Sequence, residues 1–125
     1  MKSTERTVYI VDDDVSILTA TSRLLLASGF TVKTFMSGAD FLAHLDADVQ
    51  GCVVADMRMP GLNGLELQSA LAATPNPLPL LFFTGHGDIA TSVRAMRNGA
   101  EDFLEKHAPK EQLLDAVRRA LERDA

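Results

Sequence analysis

The fold of this chain is constrained most by four short apolar runs. Each run is followed by a polar residue with a reactive or metal-binding side chain. Residues 8–11 lead into Asp12 and Asp13, residues 52–55 into Asp56, residues 80–83 into Thr84, and residues 103–104 into Glu105 and Lys106. A short apolar run bounded by turn residues is typical of a strand buried on both faces, as in a parallel sheet. Because parallel strands end at one edge of the sheet, these polar residues are predicted to share one crevice.

Helical patterns alternate with the strand patterns along the chain. Thr31–Phe35 alternates β-branched and polar residues and predicts a further strand nearer an edge. Residues 59–64 are dense in turn formers and predict a loop before a helix from Leu65 to about Ala73. Several residues fit helix ends, namely the caps Asp14, Ser37 and Asp88, the terminating Gly29 and Gly99, and Pro109 before the last helix.

Five strand-helix units in 125 residues predict an α/β fold of one domain, with a core from about residue 7 to residue 121. The expected architecture is a doubly wound, five-stranded parallel sheet with five helices on both faces. Its expected strand order is 2-1-3-4-5, with the crevice between strands 1 and 3. The sequence shows no internal repeat, no low-complexity tract and no second domain.

Composition narrows the classes of function. The formal net charge of -5 argues against a nucleic-acid surface, because phosphate binding needs clustered lysine and arginine. No apolar stretch approaches the ~20 residues that span a bilayer, and the polar residues 1–6 resemble no secretory signal, so we expect a cytoplasmic protein. The single cysteine, Cys52, lies inside a predicted buried strand and is interpreted as a small hydrophobic residue.

The acidic strand ends predict a metal site. If Asp12, Asp13 and Asp56 meet, each pair of charges at ~4 Å repels by about 4 kcal/mol at an effective dielectric of ~20. Such a cluster takes up protons or binds a cation. Since all the donors are hard oxygens, Mg²⁺ fits better than zinc and would keep several waters, one of which a phosphate oxygen can replace.

Phosphoryl transfer is the chemistry that this set of residues can serve. Asp56 stands alone after the third strand and can act as a nucleophile, since carboxylates form acyl phosphates. Mg²⁺, the Lys106 ammonium and the Thr84 hydroxyl could each take one phosphoryl oxygen, and Gly85 would leave space for the group. Taken singly, each piece has a plainer interpretation: a surface lysine, a strand-end threonine, or a solvated turn at Asp12 and Asp13.

The sequence closely resembles the receiver domain of two-component response regulators, the CheY-like family, from about Thr7 to Leu121. The resemblance rests on four stretches, which are residues 11–13, 56–64, 84–88 and 102–106. The sharpest is Asp-Met-Arg-Met-Pro at 56–60, followed by Gly64. The Thr-Gly-His-Gly-Asp loop at 84–88 is most similar to the FixJ-type subgroup, whose members usually carry a DNA-binding helix-turn-helix domain after the receiver.

This resemblance implies a role for each site residue. Asp56 would be the phosphoacceptor and would receive the phosphoryl group from the phosphohistidine of a sensor histidine kinase. Asp13, Asp56 and the backbone carbonyl of Arg58 would bind Mg²⁺, and Asp12 would orient its waters. Lys106 and Thr84 would contact the phosphoryl group.

The resemblance also implies a switch rather than an enzyme. Phe103 would move inward with Thr84 and repack the surface of the fourth helix, fifth strand and fifth helix, a surface that commonly mediates receiver dimers. By residue type alone, Phe103 is an ordinary core aromatic. The domain would assist its own phosphorylation and dephosphorylation, and it would contact neither nucleic acid nor membrane.

The sequence departs from the family pattern after Lys106. In the family, the residue after this lysine is usually proline. Here His107 follows, and a cis bond before a residue other than proline costs ~3 kcal/mol. We therefore predict a trans Lys106–His107 bond and a shifted loop.

His86 lies in the loop after Thr84. It is interpreted as a loop histidine without a role in proton transfer, with an influence on hydrolysis as the alternative. Given the subgroup, we expect the chain to be cut from a longer regulator rather than to stand alone.

Three other functions fit the same architecture. A flavodoxin-like FMN protein needs a phosphate-cradling loop after the first strand, where this chain has three aspartates that would repel phosphate. An aspartyl-phosphate hydrolase usually carries its nucleophile on the first strand, whereas Asp56 follows the third. A degenerate receiver that acts without phosphorylation is favoured only by the loop after Lys106.

Overall fold

A five-stranded parallel sheet forms the centre of the molecule. The computed structural model describes residues 7–45, 49–75, 77–85 and 87–124. The strands are β1 (Thr7–Val11), β2 (Thr31–Phe35), β3 (Gly51–Ala55), β4 (Leu80–Thr84) and β5 (Asp102–Glu105). Their order is β2-β1-β3-β4-β5 and every pair is parallel. The predicted fold class, strand order and edge position of the second strand are confirmed.

In the part of the chain that the structure describes, four helices connect successive strands and a fifth follows β5, and side chains cap most of them as predicted. They are α1 (Val15–Ala27), α2 (Gly38–His44), α3 (Gly64–Ala72), α4 (Ile89–Arg97) and α5 (Lys110–Asp124). Asp14 accepts hydrogen bonds from the backbone N–H groups of Ser16 and Ile17, and Asp88 accepts one from Thr91 at 2.7 Å. These side chains satisfy N–H groups that the first helical turn leaves unpaired.

Two hydrophobic clusters fill the space between the sheet and the helices. The alternation of side chains along β1 assigns Tyr9 and Val11 to one cluster, with α2, α3 and α4, and Val8 and Ile10 to the other, with α1 and α5. Cys52 is fully buried in the second cluster, which agrees with its interpretation as a small hydrophobic residue. The helices therefore cover both faces of the sheet. None of the helices in the described ranges has the length and hydropathy of a membrane span.

The strand register brings the polar strand ends together. Val11 lies beside Ala55 in the ladder, and the backbone N–H of Asp56 donates to the carbonyl of Val11 at 3.0 Å. Thr84 lies beside Glu105 at the end of β4, and the N–H of Lys106 donates to the Thr84 carbonyl at 3.0 Å. The first residues after β1, β3 and β5 thus emerge at one edge of the sheet, next to the end of β4.

Candidate functional site

Three carboxylates lie close together where β1 and β3 end. Asp12, Asp13 and Asp56 each offer a carboxylate oxygen, and these three oxygens lie within 4.8 Å of one another. Asp12 is 2% exposed and Asp56 is 7% exposed, whereas Asp13 faces solvent. The structure therefore brings together the three acids that the sequence analysis selected. The exposed Asp13 brings the cluster into contact with solvent.

Backbone N–H groups orient the two buried carboxylates. The N–H of Asp14 donates to Oδ1 of Asp12 at 3.0 Å, and the N–H of Arg58 approaches Oδ1 of Asp56 at 3.4 Å. The donor N–H in each case lies two residues after the acid. The turn that follows each strand therefore holds the carboxylate at the end of that strand in place. The second oxygen of each carboxylate, Oδ2, is directed at a common cation.

The cation shared by the Asp12 and Asp56 carboxylates is the Lys106 ammonium. Its Nζ lies 2.8 Å from Oδ2 of Asp12 and 3.1 Å from Oδ2 of Asp56, and its side chain is 17% exposed. The described residues contain no cis peptide bond, so the predicted trans Lys106–His107 bond is confirmed. The chain turns directly after β5, where the N–H of Ala108 donates to the Glu105 carbonyl at 3.0 Å. Lys106 reaches the acids without a proline after it.

The charges of the site are unbalanced. Burial raises the pKa of Asp12 above its ordinary value and the Asp56 charge adds to this, against the bonds that Asp12 accepts from Lys106 and Asp14. Burial lowers the pKa of Lys106, but its bonds and charge interactions with Asp12 and Asp56 outweigh burial, so the net shift is upward. Both groups hold protons more tightly than usual, Asp12 chiefly because it is buried and Lys106 because it bonds to two acids.

Thr84 and Gly85 lie next to Lys106, and Phe103 lies on the neighbouring strand β5. Thr84 is fully buried at the end of β4. A Cβ on Gly85 would lie 3.9 Å from Cδ of Lys106, an ordinary contact. The half-buried Phe103 ring packs on Phe82, with ring centroids 5.9 Å apart. His86, the loop histidine of the sequence analysis, lies outside the described residues.

Gly87 lies against the Phe103 ring, a contact that sequence reasoning missed. A Cβ on Gly87 would lie 2.5 Å from Cε1 of Phe103 and 3.5 Å from Cγ2 of Thr84. The glycine thus makes room for the aromatic ring beside the threonine. Nothing in the sequence pairs residues 87 and 103, since the contact depends on how the β4–α4 loop folds over β5.

The turn between β3 and α3 is held by two further features. Asn63 and Glu66 form a capping box, with bonds of 2.9 and 2.8 Å between each side chain and the other residue's N–H. The N–H of Gly64 donates to the Met57 carbonyl at 2.9 Å. The spacing of Asn63 and Glu66 is a recognisable helix-start signal that could have placed the helix start one residue earlier than Leu65. These bonds hold the start of α3 and the residue that follows Asp56.

The arrangement is suited to phosphoryl transfer. Asp56 belongs to a cluster of hard oxygen donors that fits a hydrated divalent cation such as Mg²⁺, and a carboxylate in such a cluster can act as a nucleophile. The Lys106 ammonium lies 3.1 Å from Asp56, and a cation at this position can offset charge on phosphoryl oxygens.

Comparison with known proteins places this geometry in a family context. The family model described as "Response regulator receiver domain" matches residues 8–118. Nodulation protein W of Bradyrhizobium diazoefficiens is 44% identical over 122 residues, which are 98% of this chain and 54% of that protein. The chain thus spans about half the length of this curated relative.

Solved structures of similar proteins have the same fold. The structure of response regulator StyR superposes with a TM-score of 0.89 at 44% identity, covering 97% of this chain and 61% of that one. The structure titled FixJ-N gives a TM-score of 0.86 at 38% identity, covering 98% of this chain and 96% of that one. These similarities bear out the resemblance drawn from the sequence motifs, including the FixJ-type subgroup.

Proposed function

Because the chain belongs to the response regulator receiver domain family, we propose that it is the phosphoaccepting switch of a two-component system and that Asp56 is its acceptor. The observation that carries this proposal is the position of Asp56, whose carboxylate is held 3.1 Å from Lys106 and within 4.8 Å of two other carboxylates. The proposed donor is a phosphohistidine on a sensor histidine kinase. Such a donor is charged from ATP, so the transfer takes place in the cytoplasm.

In the proposed step, a carboxylate oxygen of Asp56 attacks phosphorus. A P–O bond forms as the P–N bond breaks, and the imidazole leaves with the electron pair and takes up a proton. Lys106 Nζ, now shared by Asp12 and Asp56, can pair with a phosphoryl oxygen while keeping contact with Asp12. The Thr84 hydroxyl would contact a second oxygen.

The donor set fits Mg²⁺. Asp13, Asp56 and the carbonyl of Arg58 would hold the ion, and Asp12 would orient its waters, which agrees with the three carboxylate oxygens lying within 4.8 Å of one another. When bound, Mg²⁺ supplies charge neutralisation for the phosphoryl oxygens. The domain assists its own phosphorylation and dephosphorylation and is a signalling module rather than an enzyme.

The proposed response to phosphorylation runs through Thr84 and Phe103 to the α4-β5-α5 surface. Thr84 would move toward the phosphoryl group, and the Phe103 ring would follow it inward. The packing of this region supports the route. Thr84 and Phe103 both lie so close to Gly87 that a Cβ on this glycine would touch both side chains. Phe103 also lines a groove between α4 and β5 together with Met96, so its movement would change that surface.

A phosphorylation-dependent homodimer is the proposed output of this surface. Ile89, Val93 and Met96 lie on one face of α4 and are 83%, 42% and 45% exposed. Apolar side chains on the outer face of a helix are typical of an interaction surface.

The domain is proposed not to bind nucleic acid directly, because its net charge is negative. We propose that the 1–125 chain is one receiver domain of a longer regulator.

Intact mass spectrometry tests the acceptor function. The protein is incubated with acetyl phosphate with and without Mg²⁺, alongside Asp56→Asn and a matched control, Asp115→Asn, on the exposed face of α5. We expect one phosphoryl adduct in wild type and control, dependent on Mg²⁺ and lost in Asp56→Asn. An adduct that persists in Asp56→Asn, or no adduct under any condition, would refute the assignment.

Sedimentation velocity tests the dimer. A Val93→Glu variant should remain monomeric when phosphorylated, because it places a charge in the apolar stripe. Leu26→Glu, a comparable change at a 55% exposed leucine of α1, should dimerise like wild type. Equal dimerisation of both variants would remove α4 from the interface.

A further inference from the structure

Helix α4 is attached to the body of the protein by small side chains. Ala95 is its one fully buried residue, and Thr91 and Ser92 are partly buried. Its large apolar side chains point to solvent instead. Since burial of apolar area drives docking, this contact stabilises α4 less than the leucine-rich contacts of α3 or α5 stabilise those helices. The position of α4 must therefore depend on more specific interactions.

One such interaction comes from Gln68 of α3. Its Nε2 donates a hydrogen bond to the backbone carbonyl of Ala95 at 2.9 Å, and the residue is 6% exposed. The same carbonyl accepts the N–H of Ala100 at 3.0 Å, in the turn that ends α4. Gln68 thus binds the last turn of α4, 27 residues away in the chain, at the point where the helix is most deeply buried.

The other half of the same amide has no protein partner. Among the buried side chains that the structure describes, Oε1 of Gln68 is the one polar atom that no protein donor reaches. A rotated amide would set Oε1 against the Ala95 carbonyl, two acceptors facing each other, so the observed orientation is the better one. A buried acceptor without a donor is unfavourable, and it regains hydrogen bonds when it is exposed to water.

We propose that Gln68 is a positioning residue that sets where α4 docks in the unphosphorylated protein and keeps that docking easy to release. The Nε2 group of Gln68 selects one position of the helix through its bond to Ala95. The Oε1 atom gains hydrogen bonds from water when α4 moves away. The proposal deepens the proposed function, and rests on it, because α4 belongs to the surface that phosphorylation would repack.

Amide hydrogen exchange of the unphosphorylated protein tests this proposal through two variants with opposite effects. Gln68→Met keeps the shape and removes both polar atoms. Because the Ala95 carbonyl keeps the N–H of Ala100, the lost donor costs less than removal of the unpaired acceptor gains, so residues 93–100 should exchange roughly fivefold more slowly. Gln68→Glu replaces the donor with a second acceptor, so these amides should exchange faster. Gln112→Met on the exposed face of α5 is the matched control and should leave them unchanged.

Two results would overturn the proposal. One is unchanged or faster exchange of residues 93–100 in Gln68→Met; the other is slower exchange of these amides in Gln68→Glu. If Gln68→Glu does not fold, the Met variant alone decides. A phosphorylation-induced rise in α4 exchange that is smaller in Gln68→Met than in wild type would support the role in switching, and an equal rise would refute it.

Intact mass of the same samples separates this test from the proposed function. Absence of a phosphoryl adduct in wild type would refute the acceptor assignment, whereas the exchange comparison of the unphosphorylated proteins would still decide whether Gln68 controls α4.

Discussion

Asp12 bears much of the electrostatic cost of the crevice. It is buried, it faces the charge of Asp56, and its bond to Lys106 offsets these effects only in part, so its pKa lies above the ordinary value of 3.8. An acid whose pKa is raised by folding destabilises the folded state wherever it is ionised, and this cost disappears as the pH falls through that pKa.

Replacing Asp12 with asparagine should therefore raise the melting temperature at pH 7 in the presence of a chelator. The single asparagine oxygen can still accept the N–H of Asp14, and Lys106 keeps its bond to Asp56, without the buried charge at position 12. The gain should be full at pH 7 and shrink as the pH falls through the raised pKa, because wild-type Asp12 then becomes protonated. Thermal unfolding followed by circular dichroism checks this. A variant less stable than wild type at pH 7, or a gain that grows as the pH falls, would contradict it.

Gly87 leaves space for the Phe103 ring, and alanine would remove that space. The Cβ would lie 2.5 Å from Cε1 of Phe103, so the ring must move. We expect Gly87→Ala to lower the free energy of unfolding by about 1–3 kcal/mol. Urea unfolding measures this, with Gly85→Ala as the control because its Cβ meets nothing closer than 3.9 Å. The loss should largely disappear in a Phe103→Ala background; an undiminished loss there would show that the ring is not the cause.

At the level of secondary structure, local signals in the sequence predicted most of the elements. The alternating pattern of residues 31–35 located β2 at the observed residues. Helix α3 begins at Gly64 rather than Leu65. This difference arises because the Asn63–Glu66 capping box, a local signal, fixes the first turn of α3.

Contacts between distant elements could not be predicted in the same way. The strand ends predicted that Asp12, Asp56 and Lys106 would meet, since parallel strands share an edge. The sharing of Nζ between the two acids and the bond from Gln68 to Ala95 depend on packing distances that no local pattern contains. The outward apolar face of α4 is likewise a result of packing, because Ile89, Val93 and Met96 read equally well as a buried stripe.

The close approach of α3 to the end of β3 gives a prediction at this scale. A Cβ on Gly64 would lie 2.8 Å from both Cα of Met57 and Cε1 of Phe82. Gly64→Ala should lower the free energy of unfolding by about 1–3 kcal/mol, although alanine is the better helix former. It should also weaken Mg²⁺ binding, because displacement of Met57 moves Asp56 and Arg58.

Urea unfolding and a Mg²⁺ titration measure these two effects of Gly64→Ala. Gly85→Ala serves as the control for stability. A Gly64→Ala protein as stable as wild type, with the same affinity for Mg²⁺, would show that the turn can relax without cost.

At the scale of the whole molecule, the parallel register joins distant parts of the chain into one charged crevice. Residues after β1, β3 and β5 meet there, so folding brings like charges together that are separated in the unfolded chain. A cation that binds this crevice only in the folded state must stabilise the whole fold.

We therefore expect Mg²⁺ at about ten times its Kd to raise the melting temperature of wild type by several degrees. Asp13→Asn should abolish most of this rise, because it removes one of the three carboxylates, while Asp115→Asn should retain it. Calorimetry with and without Mg²⁺ measures both. A rise of the same size in Asp13→Asn would mean that the ion binds elsewhere.

The central claim is that Asp56 receives the phosphoryl group, and chemical mapping of the modified residue tests it most directly. Borohydride reduces an aspartyl phosphate to homoserine, so the protein would be treated with acetyl phosphate and Mg²⁺, reduced, digested and sequenced by tandem mass spectrometry. We predict homoserine at position 56 and unmodified aspartate at positions 12 and 13. Homoserine at 12 or 13, or none in any peptide, would contradict the account.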